Sequence, residues 1–427
     1  MMWGAIRSLA SLIPVRVIIW EGFSPALYDR CARRGVRWPE APFFSGRAKI
    51  FTHTVYYHII LTDHCNLSCS YCRGKAFSSP ADEDSGPGID LDLPLELDYD
   101  LGLLYRFLEG DPDASLIFYG GEPLLRPDLV CEMVEHAPAK RFLVQTNGLL
   151  LDRIPPDIVN RLDTILVSID GPRETTDRHR GEGTYDRVMA NIVKILDGGY
   201  PGEIIARMTV TEETGIVGAV GFLADNPDHS FSSIHWQLDA DLSCDHRDRA
   251  FPAWAARSYN PGILTLIDDW VGRMEATGTV PRWYPFIDPM EDLLTGRESQ
   301  LRCGAGHGNF TIMTDGSIGP CPCMVGMKDF YIGHIRETKP PELSADPDTG
   351  AFCSCCSIRT FCGGRCLYAR VLHPWPADMR AVVCGTVENL YHGLSGALPR
   401  VRGLIDEGII DLSDFAHPRY NGCEIIP

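Results

Sequence analysis

From Val55 onward, the spacing of apolar positions along this chain switches repeatedly between two periods. Short β-branched or apolar runs near 55–61, 115–119, 141–145, 164–169, 203–211 and 231–239 predict strands, since runs of this length and composition favour extended backbone. Between them, apolar residues recur at helical spacing over 98–109, 127–136, 155–161, 185–198 and 214–225, with a further helix near 262–276. Strand and helix alternate, so the expected class is α/β around a parallel sheet. Six such repeats suit an open, partial (β/α)6 TIM-type barrel better than a flat doubly wound sheet.

The pattern breaks in three places. The segment "SSPADEDSGPGIDLDLPLELD" (78–98) is rich in Asp, Pro and Gly and reads as a loop on the barrel rim. Beyond about residue 300 cysteines and glycines crowd and strands become short, which predicts a smaller cysteine-rich domain. The expected boundaries are 55–280 for the barrel, 281–398 for linker and second domain, and 399–427 for a tail. Residues 1–54 differ in kind: eight Lys/Arg against three Asp/Glu give +5, whereas the remainder sums to −23. Two readings stay open for this stretch, a basic accessory arm or an upstream sequence outside the natural protein, Val55 then standing near a miscalled start. Arg7, Pro14 and Arg16 interrupt its apolar run, which argues against a signal peptide or membrane anchor.

Net charge of −18 over 427 residues leaves no basic field to hold phosphates, so neither a nucleic acid nor an anionic membrane is an expected partner. Sixteen cysteines change the picture more. They cluster at short spacings in a large chain, the pattern of metal or cluster ligation in a reducing compartment and not of a disulfide scaffold. Cys65, Cys69 and Cys72 fall in "DHCNLSCSYC", directly after the first predicted strand, where parallel α/β folds build their active sites. Three thiolates can hold three irons of a [4Fe–4S] cluster and leave the fourth open to a ligand. Structural zinc with His64 as fourth ligand is the alternative.

This C-x3-C-x2-C loop resembles that of the radical SAM superfamily, and the likeness extends along the barrel. "YGGEP" (119–123), "QTNG" (145–148) and "SIDGP" (168–172) end the second, third and fourth predicted strands as the family's motifs do, "RMTV" carries Arg207 on the fifth, and "HRGEGTYDRVMANI" (179–192) is similar to the family's segment after strand four. The last of these reads equally as a glycine turn before an ordinary helix. The resemblance implies a cluster-bound S-adenosylmethionine cleaved to a 5′-deoxyadenosyl radical. It implies Tyr71 against the adenine, Gly120, Gly121 and Pro123 in the turn facing the methionine end, Glu122 on its amine, Asn147, Ser168 and Asp170 near the ribose or methionine, and Arg207 on its carboxylate.

Downstream, Cys303 and Cys321 flank Gly316, with twelve and four residues between; Cys353, Cys356, Cys362 and Cys366 are separated by two, five and three; Cys384 follows. This spacing resembles the SPASM domain, the auxiliary-cluster module of many radical SAM enzymes. The resemblance implies two further [4Fe–4S] clusters, one held by Cys353, Cys356, Cys362 and Cys384, the other by Cys303, Cys321 and Cys366. The fourth ligand of the latter stays open between Cys323 and a free iron position. Zinc is the alternative for the whole field. Cys355 is expected to be a bystander, and Cys31, Cys131, Cys244 and Cys423 buried or spare thiols.

Most SPASM-bearing enzymes modify ribosomally made peptides or proteins, and the overall layout resembles compact archaeal members of that kind. A peptide or protein substrate and an electron donor such as ferredoxin or flavodoxin are therefore the expected partners. Pro322 occupies the place where sulfatase-maturing members carry an aspartate, which speaks against that chemistry; Asp239 could supply a base from elsewhere. A small-metabolite enzyme and an iron–sulfur carrier or scaffold are the competing readings. Oxygen-labile clusters imply a cytoplasmic protein of an anaerobe.

Overall fold

The computed structural model describes residues 55–72, 90–239, 250–345, 353, 355–372 and 377–418. The expected N-terminal arm, Cys31, Cys244, Cys423 and most of the 78–98 loop lie outside the described residues.

All six expected strands are present: β1 (Tyr56–Thr62), β2 (Ser115–Gly120), β3 (Arg141–Thr146), β4 (Thr164–Ser168), β5 (Glu203–Val210) and β6 (Ser233–Leu238). They pair in parallel and in chain order, and a short β7 (Arg282–Trp283) extends the row. Every residue of β1 is buried, as a parallel strand covered on both faces requires. Helices α1 (Leu101–Leu108), α2 (Pro127–His136), α3 (Arg173–Arg180), α4 (Thr184–Asp197), α5 (Ile216–Ala224) and α6 (Asn260–Thr277) follow the strands. The helix α1 starts later than its apolar pattern suggests because Asp100 caps it, accepting the Gly102 N–H at 2.8 Å.

The second region is built onto this sheet. β8 (Asn309–Ile312) pairs in parallel with β1 on the side opposite β2, and β9 (Ser317–Gly319) and β10 (Gly333–His334) add antiparallel hairpin strands. The order is β10-β9-β8-β1-β2-β3-β4-β5-β6-β7, one ten-stranded sheet whose end strands do not pair with each other among the described residues, as in an open barrel. The described part of the rim loop is a strap: Leu97 donates to Leu61 O at 3.0 Å, Asp98 to Thr314 O at 2.8 Å, and Thr314 Oγ1 to Pro94 O at 2.5 Å.

Two helices go beyond the periodicity. The helix α3 has the all-polar sequence "RETTDRHR", and α7 (Tyr284–Thr295) carries Pro289 within it, so neither shows a clean apolar stripe. The long α8 (Ala377–Asp406) runs through the boundary expected at 398. It packs along α6, with Asn389 Nδ2 donating to Asn260 O at 2.9 Å and Arg400 paired with Asp268 and Glu275. Beyond it, Phe415 is fully buried edge-on against Trp270 of α6, so the chain to 418 belongs to the barrel's outer layer. No helix among the described residues is long and apolar enough to cross a membrane.

Candidate active site at the carboxyl ends of the strands

The loop after β1 presents Cys65 and Cys72 to solvent and Cys69 half-buried. Its backbone is fixed at both ends. At the start, Thr62 O accepts the Gly121 N–H and His64 O the Glu122 N–H, each at 2.8 Å. A side chain at 120 would place Cβ 2.2 Å from Thr62 O, and one at 121 only 2.3 Å from His64 O. Gly120 also has φ +141°, which side chains rarely adopt. The two glycines thus let the turn after β2 press against the cysteine loop itself.

At the other end, Tyr71 donates its hydroxyl to Asp170 at 2.5 Å. Asp170, fully buried, also accepts two bonds from Arg180, at 2.8 and 2.9 Å, and the Thr209 N–H at 3.0 Å. The Arg180 guanidinium stacks 5.4 Å from the Tyr71 ring centre. Ser70 adds a hydroxyl contact to His179 Nδ1 at 2.8 Å and a backbone bond to His179 O. Buried ion pairs hold only with such geometry and full satisfaction. Burial pushes the Cys65 and Cys69 thiols up, while the nearby Arg180 charge pulls Cys69 the other way.

Glu122 is 1 % exposed and caps the turn after β2. Oε1 accepts from Leu124 N–H at 3.0 Å and Thr146 Oγ1 at 2.7 Å, and Oε2 from Asn147 N–H at 2.7 Å. Loss of hydration raises its carboxyl to about 6, against these three donors. Pro123 follows, buried in the same turn. Asn147 reaches the cysteine loop, donating Nδ2 to Asn66 Oδ1 at 2.7 Å and lying 3.9 Å from Cys65 Sγ.

Ser168, Arg207 and His235 are in register on β4, β5 and β6. Arg207 is half-buried and donates to His235 Nδ1 at 3.3 Å and Gln237 Oε1 at 3.0 Å. His235 and Gln237 are both neutral acceptors, and a guanidinium has five N–H donors, so this donor set fits an added carboxylate. Sequence patterns alone did not single out Arg180, Thr146, Asn66 or Gln237. Arg180 sits inside the quoted "HRGEG", where an arginine beside a glycine turn was the available signal.

The downstream cysteines separate into two groups. Cys303, Cys321, Cys323 and Cys366 share one small apolar cluster with Leu301, Met324, Met327, Phe330 and Leu367. Cys384 has Cys353, Cys356 and Cys362 as its thiol neighbours, and burial pushes it up to about 12 although Arg365 opposes this. Cys131 stands apart on α2.

Residues 59–215 match the Radical SAM superfamily. An AdoMet-dependent heme synthase of Methanosarcina barkeri is 36% identical over 154 residues, 34% of this chain and 40% of that protein. An Fe-coproporphyrin III synthase of the same organism is 30% identical over 159 residues, 36% of each chain, so the match spans well under half the length of these relatives. Among solved structures, anSMEcpe with bound AdoMet and the Cp18Cys peptide shares the fold, with TM-score 0.61 at 18% identity, covering 82% of this chain and 99% of that one. The sheet and its helices thus have an α/β fold of the radical SAM type. Residues 59–215 are similar to the radical SAM superfamily, whose domain uses a [4Fe–4S] cluster and S-adenosylmethionine.

Proposed function

We propose that this protein is a radical SAM enzyme that modifies a ribosomally synthesised peptide or protein, aided by two auxiliary [4Fe–4S] clusters in a SPASM-type region. The observation carrying the reading is the separation of the downstream cysteines into two groups of four on a module built onto the barrel's own sheet. A fold shared with a protein solved with a peptide bound supports the substrate class.

Cys65, Cys69 and Cys72 would hold the catalytic cluster, which with bound S-adenosylmethionine supplies a 5′-deoxyadenosyl radical for hydrogen abstraction. Around it, Ser168 and Arg207 would bind the cofactor, Arg207 at the methionine carboxylate, and Tyr71 would face the adenine. Asp170 holds Tyr71, and Glu122 and Asn147 hold the loop and the Gly120–Gly121 turn. An electron donor such as ferredoxin or flavodoxin would serve the clusters.

A small-molecule substrate is the second reading, favoured by relatives named heme synthase and Fe-coproporphyrin III synthase. The experiment is iron and sulfide content with a 5′-deoxyadenosine assay, on the anaerobically reconstituted protein and its Cys65→Ala/Cys69→Ala/Cys72→Ala variant. About twelve irons falling to about eight, with cleavage lost, is expected. About four irons, all lost in the variant, would remove the auxiliary clusters and with them the peptide reading.

A further inference from the structure

We infer that Cys323 is the fourth protein ligand of the group formed by Cys303, Cys321 and Cys366, so that this downstream site is closed by four thiolates and leaves no iron open to substrate. The inference rests on the proposed auxiliary clusters and goes beyond the spacing, which leaves the fourth position open between Cys323 and a free iron.

Three features of the chain carry it. First, these four cysteines, and no others among the described residues, belong to or pack against one small apolar cluster with Leu301, Met324, Met327, Phe330, Leu367 and Tyr368. Second, the Cys321 and Cys323 thiols are hydrogen-bonded to each other, with Cys366 and Cys303 as the next thiols acting on Cys321. The "CPC" sequence allows this because Pro322–Met324 forms a single tight helical turn, closed by the Met324 N–H on Cys321 O at 3.0 Å. Third, among the described residues only Leu301 (φ 41°) and Arg365 (φ 60°) hold left-handed backbone without being glycine. One lies two residues before Cys303 and the other immediately before Cys366. Such conformations persist where surrounding structure over-determines them, and here they aim two chain segments at one small volume. Thiolate sets of four are what a closed [4Fe–4S] cluster takes.

The test uses the Cys65→Ala/Cys69→Ala/Cys72→Ala protein, in which all iron is downstream, with and without Cys323→Ala. Each is reconstituted anaerobically, assayed for iron, and examined by electron paramagnetic resonance after reduction, with and without cyanide as a probe of an open iron. The expected parent holds about eight irons and gives a spectrum unmoved by cyanide. Adding Cys323→Ala makes one cluster's signal shift with cyanide, or lowers iron to about four. A parent with about eight irons that already responds to cyanide, and is unaltered by Cys323→Ala, would overturn the inference alone. A parent without iron would overturn the auxiliary-cluster reading beneath it as well. A second readout is independent of how the variant folds: N-ethylmaleimide labelling of the loaded unsubstituted protein, followed by peptide mapping. Cys323 is expected to be protected when loaded and labelled after iron is chelated, with Cys131 labelled in both states; labelling of Cys323 in the loaded protein counts against ligation.

Discussion

The loop at Cys65, Cys69 and Cys72 and the group at Cys303, Cys321, Cys323 and Cys366 are both thiol sites, yet they are built in opposite ways. In the first, two of three thiols face solvent, and rigidity comes from polar bonds to four strand ends: Thr62, Glu122, Asn147 and the Asp170–Arg180 pair. In the second, four thiols, one buried and three half-buried, pack on one apolar cluster, and two left-handed residues turn the chain beside Cys303 and Cys366. An open site at a barrel mouth must be held from behind by hydrogen bonds, because its front has to receive a molecule. A closed site can be held by packing on all sides.

The largest expected effect comes from breaking the polar anchoring of the open site. Asp170→Ala leaves Arg180 charged in a buried position and orphans the Tyr71 hydroxyl and the Thr209 N–H. Removing one partner of such a pair costs about 3–5 kcal/mol. Denaturant unfolding should show that loss, and cluster content at 65–72 should fall while downstream iron stays. Equal loss at both sites would mean the two are not independently held.

Next, Arg207→Met tests the cofactor contact without touching a thiol. A hydrogen-bonded charged pair contributes about 1.5–3 kcal/mol, so the dissociation constant for S-adenosylmethionine should rise about tenfold to a hundredfold with all iron retained. An unchanged constant would leave Arg207 as a partner of His235 and Gln237 alone.

A comparable effect depends on pH. His58, 1 % exposed within β1, is held down to about 4 by burial, with the Arg207 charge adding to it. A depressed pKa contributes stability that is present above about 6.5 and lost as pH falls through about 4. Between pH 7 and 5 this one group should cost about 2 kcal/mol, which His58→Leu removes. Glu122 acts with the opposite sign, its stability contribution being present below the unfolded value and lost as pH rises through about 6, so the comparison has to be variant against parent at each pH.

The fold was legible where periodicity was clean. Strands β1 to β6 and helix α2 fall where the apolar runs predict them, since each buries a defined face. Helix α3 was not legible, being all polar, nor α7, with Pro289 inside it, nor the pairing of β8 with β1, which is a long-range choice no local pattern encodes. At the site, cysteine spacing was readable because ligation demands it. The bonds of Asp170 and Glu122 were not, because a carboxylate in a motif reads the same whether it meets a ligand or three neighbours of its own chain.

The smallest effect asks whether the open and closed sites share one cooperative unit. The strap at 94–98 touches β1 beside the open site and Thr314 between β8 and β9 on the way to the closed one. Thr314 is 1 % exposed and its hydroxyl bonds Pro94 O, so Thr314→Val removes one buried hydrogen bond and leaves a carbonyl unpaired, a cost of about 1 kcal/mol. Hydrogen exchange then separates two cases. If the strap merely lies across the sheet, the Leu97 and Asp98 amides alone should exchange about fivefold faster, since that free energy is spent in local opening. If amides of β8 and β9 accelerate with them, the strap couples the two sites, because β8 is hydrogen-bonded directly to β1 and any opening that frees the strap would reach both edges of that strand pair.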